Sequence, residues 1–203
     1  MACIHKFVND LNLERREFEP TTLIVGTFNP GWNILGNYAL WFYGRTNNNY
    51  FWDVLPRLYE NINLRLLPHT EWKAFCNRHK IALTDLIFSI DDADNNNQAH
   101  INQLKNYRDD AIASHFHRFT LVDIPAILKN HPTISHVYLT RQTTAGFWQQ
   151  KWLPIVRYCN VNNIKTQTLL TPSGSARFQM PEDCNITLRD FIFNRWQNSW
   201  HSL

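Results

Sequence analysis

The chain has 203 residues, of which 44% are hydrophobic and 18% are charged, a balance typical of a globular domain and unlike that of a disordered or fibrous protein. Its formal net charge of +3 favours a nucleic-acid partner only weakly. No stretch approaches the roughly 18 apolar residues of a membrane span, and the N-terminus lacks the apolar run of a signal peptide. We expect one domain over residues 1–203, a monomer without membrane contact, located in the cytoplasm and nucleoid-associated if bacterial.

The predicted elements alternate between strands and helices. Residues 1–20 are predicted to be a short amphipathic entry segment. After it come a strand at 22–28, a loop at 31–50, helices at 50–61 and 70–78, a strand at 81–90, a loop at 91–100, helices at 101–114 and 123–130, a strand at 134–140, a helix at 147–161, a strand at 164–170, a loop at 171–181 and a helix at 187–200. This alternation predicts an α/β fold, a three-layer α/β/α sandwich around a mainly parallel four-stranded sheet.

The cysteines and histidines favour no metal or cofactor. The four cysteines are far apart in the sequence, at Cys3, Cys76, Cys159 and Cys184. This spacing excludes a paired-cysteine zinc motif and favours reduced, mostly buried cysteines. His115 and His117 form a His-x-His pair, but no cysteine or carboxylate pattern accompanies it. We therefore expect no metal site and no cofactor.

The first predicted strand ends in a turn that carries one polar side chain. Leu23–Val25 is apolar, Gly26 ends the run, and Pro30-Gly31 turns the chain. Asn29 lies between them, where ligands bind in open α/β sheets, beyond the carboxyl ends of the strands. On the residues alone, Asn29 is either a functional group or a strand-end residue that bonds its own turn.

Two further loops belong with this turn. The loop at 31–50 is rich in glycine, asparagine and aromatic residues, and its length is typical of a functional loop. The segment Thr171–Arg177 follows the last predicted strand. In a parallel sheet it would open at the same edge as the Asn29 turn, so the two segments could face one ligand.

Four motifs in these segments resemble the uracil-DNA glycosylase superfamily, and most closely its mismatch-specific uracil/thymine branch. They are GTFNPG at 26–31, NYFW at 49–52, IALTDL at 81–86, which lacks the usual leading glycine, and TPSGSAR at 171–177. The resemblance extends over residues 23–181 in the family's order. It implies a monofunctional DNA glycosylase that hydrolyses the N-glycosidic bond of a flipped-out uracil or related damaged or mismatched base. The monofunctional character follows from the absence of lysine in these four motifs, because a lysine amine would be needed to form a Schiff base.

The resemblance also implies roles for individual residues in the base pocket. Asn29 would position the attacking water, because a neutral amide can hold water by hydrogen bonds but is a poor base. The pocket would be formed by Thr27, Phe28, Phe42, Tyr43 and Asn49. Phe42 or Tyr43 would stack on the base, with Phe42 slightly favoured. Asn49 could equally be the N-cap of the following helix.

The last motif would contact DNA, either double-stranded with a damaged or mismatched base or single-stranded. Arg177 would fill the gap left by the extracted base, while Ser175 and Ala176 let the loop enter the groove. Ser173 and Ser175 could donate to phosphates. The alternative for Arg177 is an ordinary solvated charge.

The sequence also departs from the family. The efficient uracil-specific branch has an aspartate in the first motif and a histidine before the last Pro-Ser, where this chain has Asn29 and Thr171. Within this resemblance, the missing histidine implies slow turnover or a preference for a base that leaves easily. The cysteine spacing does not match that of the iron–sulfur branches. Two other classes stay open: a binding module with the same fold but no cleavage, and an unrelated α/β protein with a small-molecule pocket.

Overall fold

The computed structural model of the protein describes residues 1–14, 17–32, 39–105, 108–143 and 145–200. Within them are seven strands, β1 (Cys3–Ile4), β2 (Thr22–Gly26), β3 (Ile81–Asp85), β4 (Ile87–Ile90), β5 (Phe119–Leu121), β6 (His136–Leu139) and β7 (Lys165–Thr168). Four of them form a parallel sheet in the order β3-β2-β6-β7. The predicted α/β fold with a central parallel four-stranded sheet is confirmed.

Strand β2 lies inside the central sheet and is buried along its whole length, as is β3. Their apolar, partly β-branched residues fit a parallel strand that is covered on both faces. The two strands run in register, so that Gly26 at the end of β2 is opposite Asp85 at the end of β3. This register brings the Asn29 turn and Asp85 to the same edge of the sheet.

The prediction of one strand over 81–90 is wrong. The chain leaves the central sheet after Asp85, and β4 pairs antiparallel with β1 and β5 in a second, three-stranded sheet. The amides of Leu86 and Ile87 donate to the carbonyls of Gly26 and Thr27 at this change of direction. Both halves of 81–90 are apolar, so hydrophobic periodicity could not reveal the break.

The described helices are α1 (Phe51–Glu60), α2 (His69–Arg78), α3 (Gln98–Lys105), α4 (Asp109–His115), α5 (Ile124–Asn130), α6 (Gly146–Val161) and α7 (Leu188–Ser199). The single helix predicted at 101–114 is therefore two helices, and residues 106–107 lie outside the described part. The loop predicted at 171–181 contains a 3₁₀ helix, Gly174–Gln179. Residues 33–38 of the predicted loop at 31–50 also lie outside the described residues.

Aromatic rings connect α1 to its neighbours in the core. Trp52 stacks on Trp72 of α2 with ring centroids 4.9 Å apart and an interplanar angle of 7°. Phe51 meets Trp196 of α7 edge to face, with ring centroids 5.8 Å apart. The rings of Phe51 and Trp52 are both fully buried. The two aromatic residues at the start of α1 thus fix this end of the helix against α2 and α7.

The N-terminal segment is bound to the Asn29 turn. His5 forms an antiparallel bridge with Pro30. The Lys6 amide donates to the Asn29 carbonyl at 2.8 Å, and the Gly31 amide donates to the Ile4 carbonyl at 2.8 Å. A Cβ atom at Gly31 would collide with the same Ile4 carbonyl, which explains the glycine. The predicted entry segment is therefore part of the wall behind Asn29.

Across the described residues, no helix combines the length and apolar character needed to cross a lipid bilayer.

Candidate functional site

A cleft of about 320 Å³ opens at the carboxyl ends of β2 and β3. The Asn29 turn, the segment at 43–49, the start of α4 and the 171–175 loop form its walls. Its side chains are mostly polar, and three aspartates and three arginines are among them: Asp85, Asp109, Asp110, Arg45, Arg108 and Arg141. The sequence motifs that lie far apart in the chain are thus brought together at one site.

Asn29 lies in this cleft and is bound to a buried carboxylate. Its Nδ2 donates to Asp85 Oδ2 at 2.9 Å. The same oxygen is 2.7 Å from His5 Nε2, and the side chains of His5 and Asp85 are 0% and 2% exposed. On the other side of the imidazole ring, the Phe7 amide donates to His5 Nδ1 at 3.0 Å. Asn29 therefore belongs to a hydrogen-bonded cluster whose far end is the N-terminal segment.

Gly26 makes room for this cluster. A Cβ atom at Gly26 would collide with Asp85 Oδ1 and would come within 2.9 Å of the Tyr43 hydroxyl. The glycine that ends the β2 run therefore has a steric reason beyond turn formation, because the Asp85 carboxylate occupies the space beside it.

A second carboxylate lies on the α4 side of the cleft. Asp109 accepts hydrogen bonds from Thr27 Oγ1 at 2.8 Å and from Arg141 Nη1 at 2.7 Å. Burial raises the pKa of the Asp109 carboxyl above its ordinary value, and Arg141 and Thr27 offset part of that rise. Arg141 also donates to Asp110 at 3.0 Å. Arg141 is thus paired with carboxylates inside the cleft.

The two aromatic candidates are in different places. Phe42 is 0% exposed and packs against Phe7 and Trp41, outside the cleft lining. Tyr43 lines the cleft, stacks on Phe51 at 3.8 Å between centroids, and is bonded through its hydroxyl to Thr140 at 2.9 Å. The geometry therefore reverses the preference for Phe42, since a fully buried ring has no face to offer a base.

Tyr43 is also unusual in its backbone and its acidity. Its φ of 57° lies in the left-handed region, which a bulky residue adopts only when its surroundings hold it there. Burial raises the pKa of the Tyr43 phenol well above its ordinary value, and the nearby Asp85 charge adds to the rise. The Tyr43 hydroxyl is consequently neutral at neutral pH.

Asn49 connects the two loops of the cleft. Its side-chain Oδ1 accepts a hydrogen bond from the Phe51 amide at 2.9 Å. The N-cap of α1 is Tyr50, so the alternative of Asn49 as the N-cap is wrong by one residue. Asn49 also forms an antiparallel bridge with Ser173, and the Tyr50 amide donates to the Pro172 carbonyl at 2.7 Å. Because Oδ1 serves the helix, the side-chain amino group is the part of Asn49 that remains for the cleft.

The last motif lines the cleft with hydroxyl groups. Thr171, Ser173 and Ser175 form a chain, with Oγ1–Oγ and Oγ–Oγ distances of 3.0 Å and 2.6 Å. Ala176 is fully buried beneath them. This wall of the cleft, including Thr171 just before Pro172, therefore presents hydroxyl groups.

The 3₁₀ helix carries two exposed residues at the edge of the site. Arg177 is exposed but is not part of the cleft lining. The next residue, Phe178, lines the cleft and is 92% exposed. The Phe178 ring is therefore open to contact with a ligand at the edge of the cleft.

Several site residues escaped the sequence reasoning. Asp85 was part of a motif but received no role, although an acidic residue at the end of a buried strand is a signal. His5 gave no local signal, because it meets Asp85 only through the tertiary fold. Phe178 is one of 13 phenylalanines, and Asp109 lies inside the segment 101–114 that the sequence predicts as one continuous helix.

Among the described residues, no group of three histidine, cysteine, aspartate or glutamate side chains is arranged to hold a metal ion. The four cysteines are free thiols, three of them buried. What the cleft offers is a carboxylate-supported amide, acceptors on the β3 and α4 sides, and hydroxyls and arginines around the opening.

A comparison with solved structures finds a similar fold in the solution NMR structure of a "putative Uracil DNA glycosylase" from Methanosarcina acetivorans. The similarity covers 89% of this chain and 91% of that chain, with a TM-score of 0.55 and 13% sequence identity. At this identity, the likeness shows a shared fold. A scan against protein-family models and a search of curated proteins find no match.

Proposed function

We propose that this protein is a monofunctional DNA glycosylase that removes uracil or a related damaged or mismatched base from DNA, in the manner of the mismatch-specific uracil/thymine branch. The main support for this proposal is the hydrogen-bonded cluster in the cleft, in which Asn29 is held by the buried carboxylate of Asp85. The shared fold and the order of the four motifs support the same family.

Asn29 and Asp85 would act on the sugar side of the scissile bond. Because Asn29 Nδ2 donates to Asp85, its Oδ1 is the acceptor left to orient a water molecule. The water oxygen bonds to C1′ while the C1′–N bond breaks, and the electron pair of the broken bond leaves with the base. The attacking water loses a proton to solvent. The carboxylate charge of Asp85 opposes the positive charge that develops on the sugar.

The base side would be formed by groups that hydrogen-bond or stack. Tyr43 and Phe28 line the cleft and could contact the face of a flipped base. The Asn49 amino group can donate to a base oxygen. Because Thr171 replaces an imidazole, the cleft offers little acid assistance to the departing base. We therefore expect slow turnover, or a substrate base that leaves readily.

The DNA contacts would come from the last motif. The Ser173 and Ser175 hydroxyls could donate to phosphates beside the flipped nucleotide. Arg177 is our first candidate for filling the gap, and the exposed ring of Phe178 is a second, because apolar wedges insert between base steps in many DNA-bending proteins.

The test is a base-release assay on duplexes containing U·G, U·A, T·G or hypoxanthine·T pairs and on single-stranded DNA with uracil. We expect release of at least one base, and a loss of roughly a hundredfold in single-turnover rate for Asn29→Ala. The control is Asn160→Ala, an exposed asparagine of α6 outside the cleft lining.

No release from any substrate by the wild-type protein would contradict the enzyme proposal. If the wild-type protein released no base but still bound abasic duplexes tightly, the enzyme proposal would give way to that of a DNA-binding module without cleavage. An unchanged rate in Asn29→Ala would remove Asn29 from the reaction.

A further inference from the structure

The strongest unassigned feature is the imidazole buried behind the cleft. His5 lies in the N-terminal segment, 80 residues from Asp85 in sequence, and is fully buried against it. Phe7, Phe28 and Phe42 surround the ring, with centroids 5.7, 5.6 and 5.8 Å from it. A polar ring in such an apolar cage is costly unless its nitrogens are satisfied.

Both ring nitrogens have partners, and those partners fix where the proton is. The Phe7 amide donates to Nδ1 at 3.0 Å, so Nδ1 must offer its lone pair. The proton of the neutral ring is then on Nε2, which donates to Asp85 Oδ2 at 2.7 Å. The backbone of the N-terminal segment thereby selects the tautomer.

The same oxygen receives the Asn29 amino group at 2.9 Å. Two donors on one carboxylate oxygen fix the carboxylate plane, and the carboxylate then fixes which way the Asn29 amide points. An amide can present either its oxygen or its amino group. The acceptor Asp85 allows only the amino group to face inward, so the oxygen faces the cleft.

We propose that His5 is a positioning residue for the proposed glycosylase reaction, a neutral hydrogen-bond donor that holds Asp85 so that Asn29 presents its carbonyl oxygen to the attacking water. A neutral donor suits this task. A lysine or arginine in its place would orient the carboxylate equally well but would cancel the negative charge that Asp85 contributes at the sugar.

The catalytic consequence of this proposal rests on the proposed function, whereas the hydrogen-bond arrangement does not. The test therefore uses two substitutions, each of which keeps a polar group near the position of only one of the two ring nitrogens. In His5→Gln the side-chain amino group can take the place of Nε2 and donate to Asp85. In His5→Asn the shorter amide reaches only the Nδ1 position. His79→Asn is the control, because His79 forms a similar pair with Glu60 at 2.6 Å, outside the cleft lining.

The kinetic readout separates chemistry from binding. For His5→Asn we expect a fall in single-turnover base release of roughly tenfold to a hundredfold, the range seen when a group that orients a metal ligand by a hydrogen bond is replaced. Its Kd for an abasic duplex should stay within about twofold. His5→Gln should recover most of the rate, and His79→Asn should leave it unchanged. In an Asn29→Ala background, His5→Asn should have no further effect, because the two residues act as one unit.

A spectroscopic readout does not depend on activity. Nitrogen-15 NMR of histidine-labelled protein should show His5 as the neutral ring with its proton on Nε2, assigned by comparison with His5→Gln. The opposite tautomer, or a His5→Asn effect that persists unchanged in the Asn29→Ala background, would overturn the proposal. If the wild-type protein releases no base, the proposed function fails, and the NMR spectrum alone decides the hydrogen-bond arrangement.

Discussion

At the residue scale, the site depends on buried acceptors that are held by neutral or paired donors. Asp85 is bound by an imidazole and an amide, and Asp109 by a hydroxyl and the Arg141 guanidinium. Only the second carboxylate has a full cationic partner. The negative charge of Asp85 thus remains for the cleft, on the side where the proposed reaction develops positive charge.

The exposed ring of Phe178 provides a prediction about DNA contact. We expect Phe178→Ala to weaken binding of an abasic duplex by about 1–3 kcal/mol, the range for stacking of an aromatic ring on a base. The melting temperature should not change, because the side chain is 92% exposed. Fluorescence anisotropy gives the affinity and calorimetry the melting temperature.

Two further variants serve as the control and as the test of the neighbouring residue. Leu66→Ala removes a side chain that is 89% exposed and does not line the cleft, so it should leave the affinity unchanged. Arg177→Ala tests the neighbouring candidate directly. A loss of affinity in Arg177→Ala with none in Phe178→Ala would refute the prediction for the phenylalanine ring. It would indicate that Arg177 fills the gap left by the base.

At the element scale, the sequence predicted what depends on local pattern. The apolar run of β2 and the helical periodicity of α6 and α7 were visible because each follows one period over its whole length. The second sheet was not visible. Its strands have two, four and three residues, too short for a period, and they pair across more than 80 positions between β1 and β4.

The same distinction explains which parts of the site could be foreseen. Asn29 was found because it stands in a local motif. His5 could not be found, since its role exists only after the N-terminal segment has paired with the turn at Pro30. The burial of Phe42 was hidden as well, because adjacent aromatic residues give no sign of which ring turns inward.

Helix α7 begins with a reciprocal cap whose strength should depend on pH. Thr187 Oγ1 accepts the Asp190 amide at 3.2 Å and donates to the Asp190 carboxylate at 2.6 Å. This hydroxyl bond, with smaller contributions from Arg57 and Arg189, holds the pKa of Asp190 below its ordinary value. A lowered folded-state pKa stabilises the fold above the unfolded pKa of about 3.9, and that stabilisation is lost as the pH falls through the lower folded pKa.

We expect Thr187→Val to lower the free energy of unfolding by about 1 kcal/mol near pH 7, the usual cost of losing a cap. The difference from wild type should shrink below a pH of about 3.9, where Asp190 of the unfolded chain is protonated, and vanish once the pH is below the lower folded-state pKa. Urea unfolding at several pH values measures both effects. Thr187→Ser keeps the hydroxyl and should stay close to wild type. A Thr187→Val deficit that is equally large at every pH would contradict the carboxylate's part in the cap.

At the scale of the whole molecule, positive and negative charges nearly balance, which would limit non-specific binding to DNA. The chain carries 20 basic and 17 acidic residues, a net charge of +3. The cleft lining includes three arginines and three aspartates, which balance one another. Arg141 is committed to Asp109 and Asp110. If the protein acts on DNA as proposed, a duplex would meet few cations at the cleft, and we expect its affinity to depend more on the bound base than on phosphate attraction.

Salt titration tests this balance. The logarithm of the DNA association constant falls with the logarithm of salt concentration in proportion to the phosphates neutralised, so we expect a shallow slope for an abasic duplex. Arg108 is exposed at the cleft opening, and Arg108→Ala should reduce the slope by about one. Arg157→Ala, on the exposed side of α6 and outside the cleft lining, should leave it unchanged. Equal slopes in wild type and Arg108→Ala would show that phosphates are bound elsewhere on the surface.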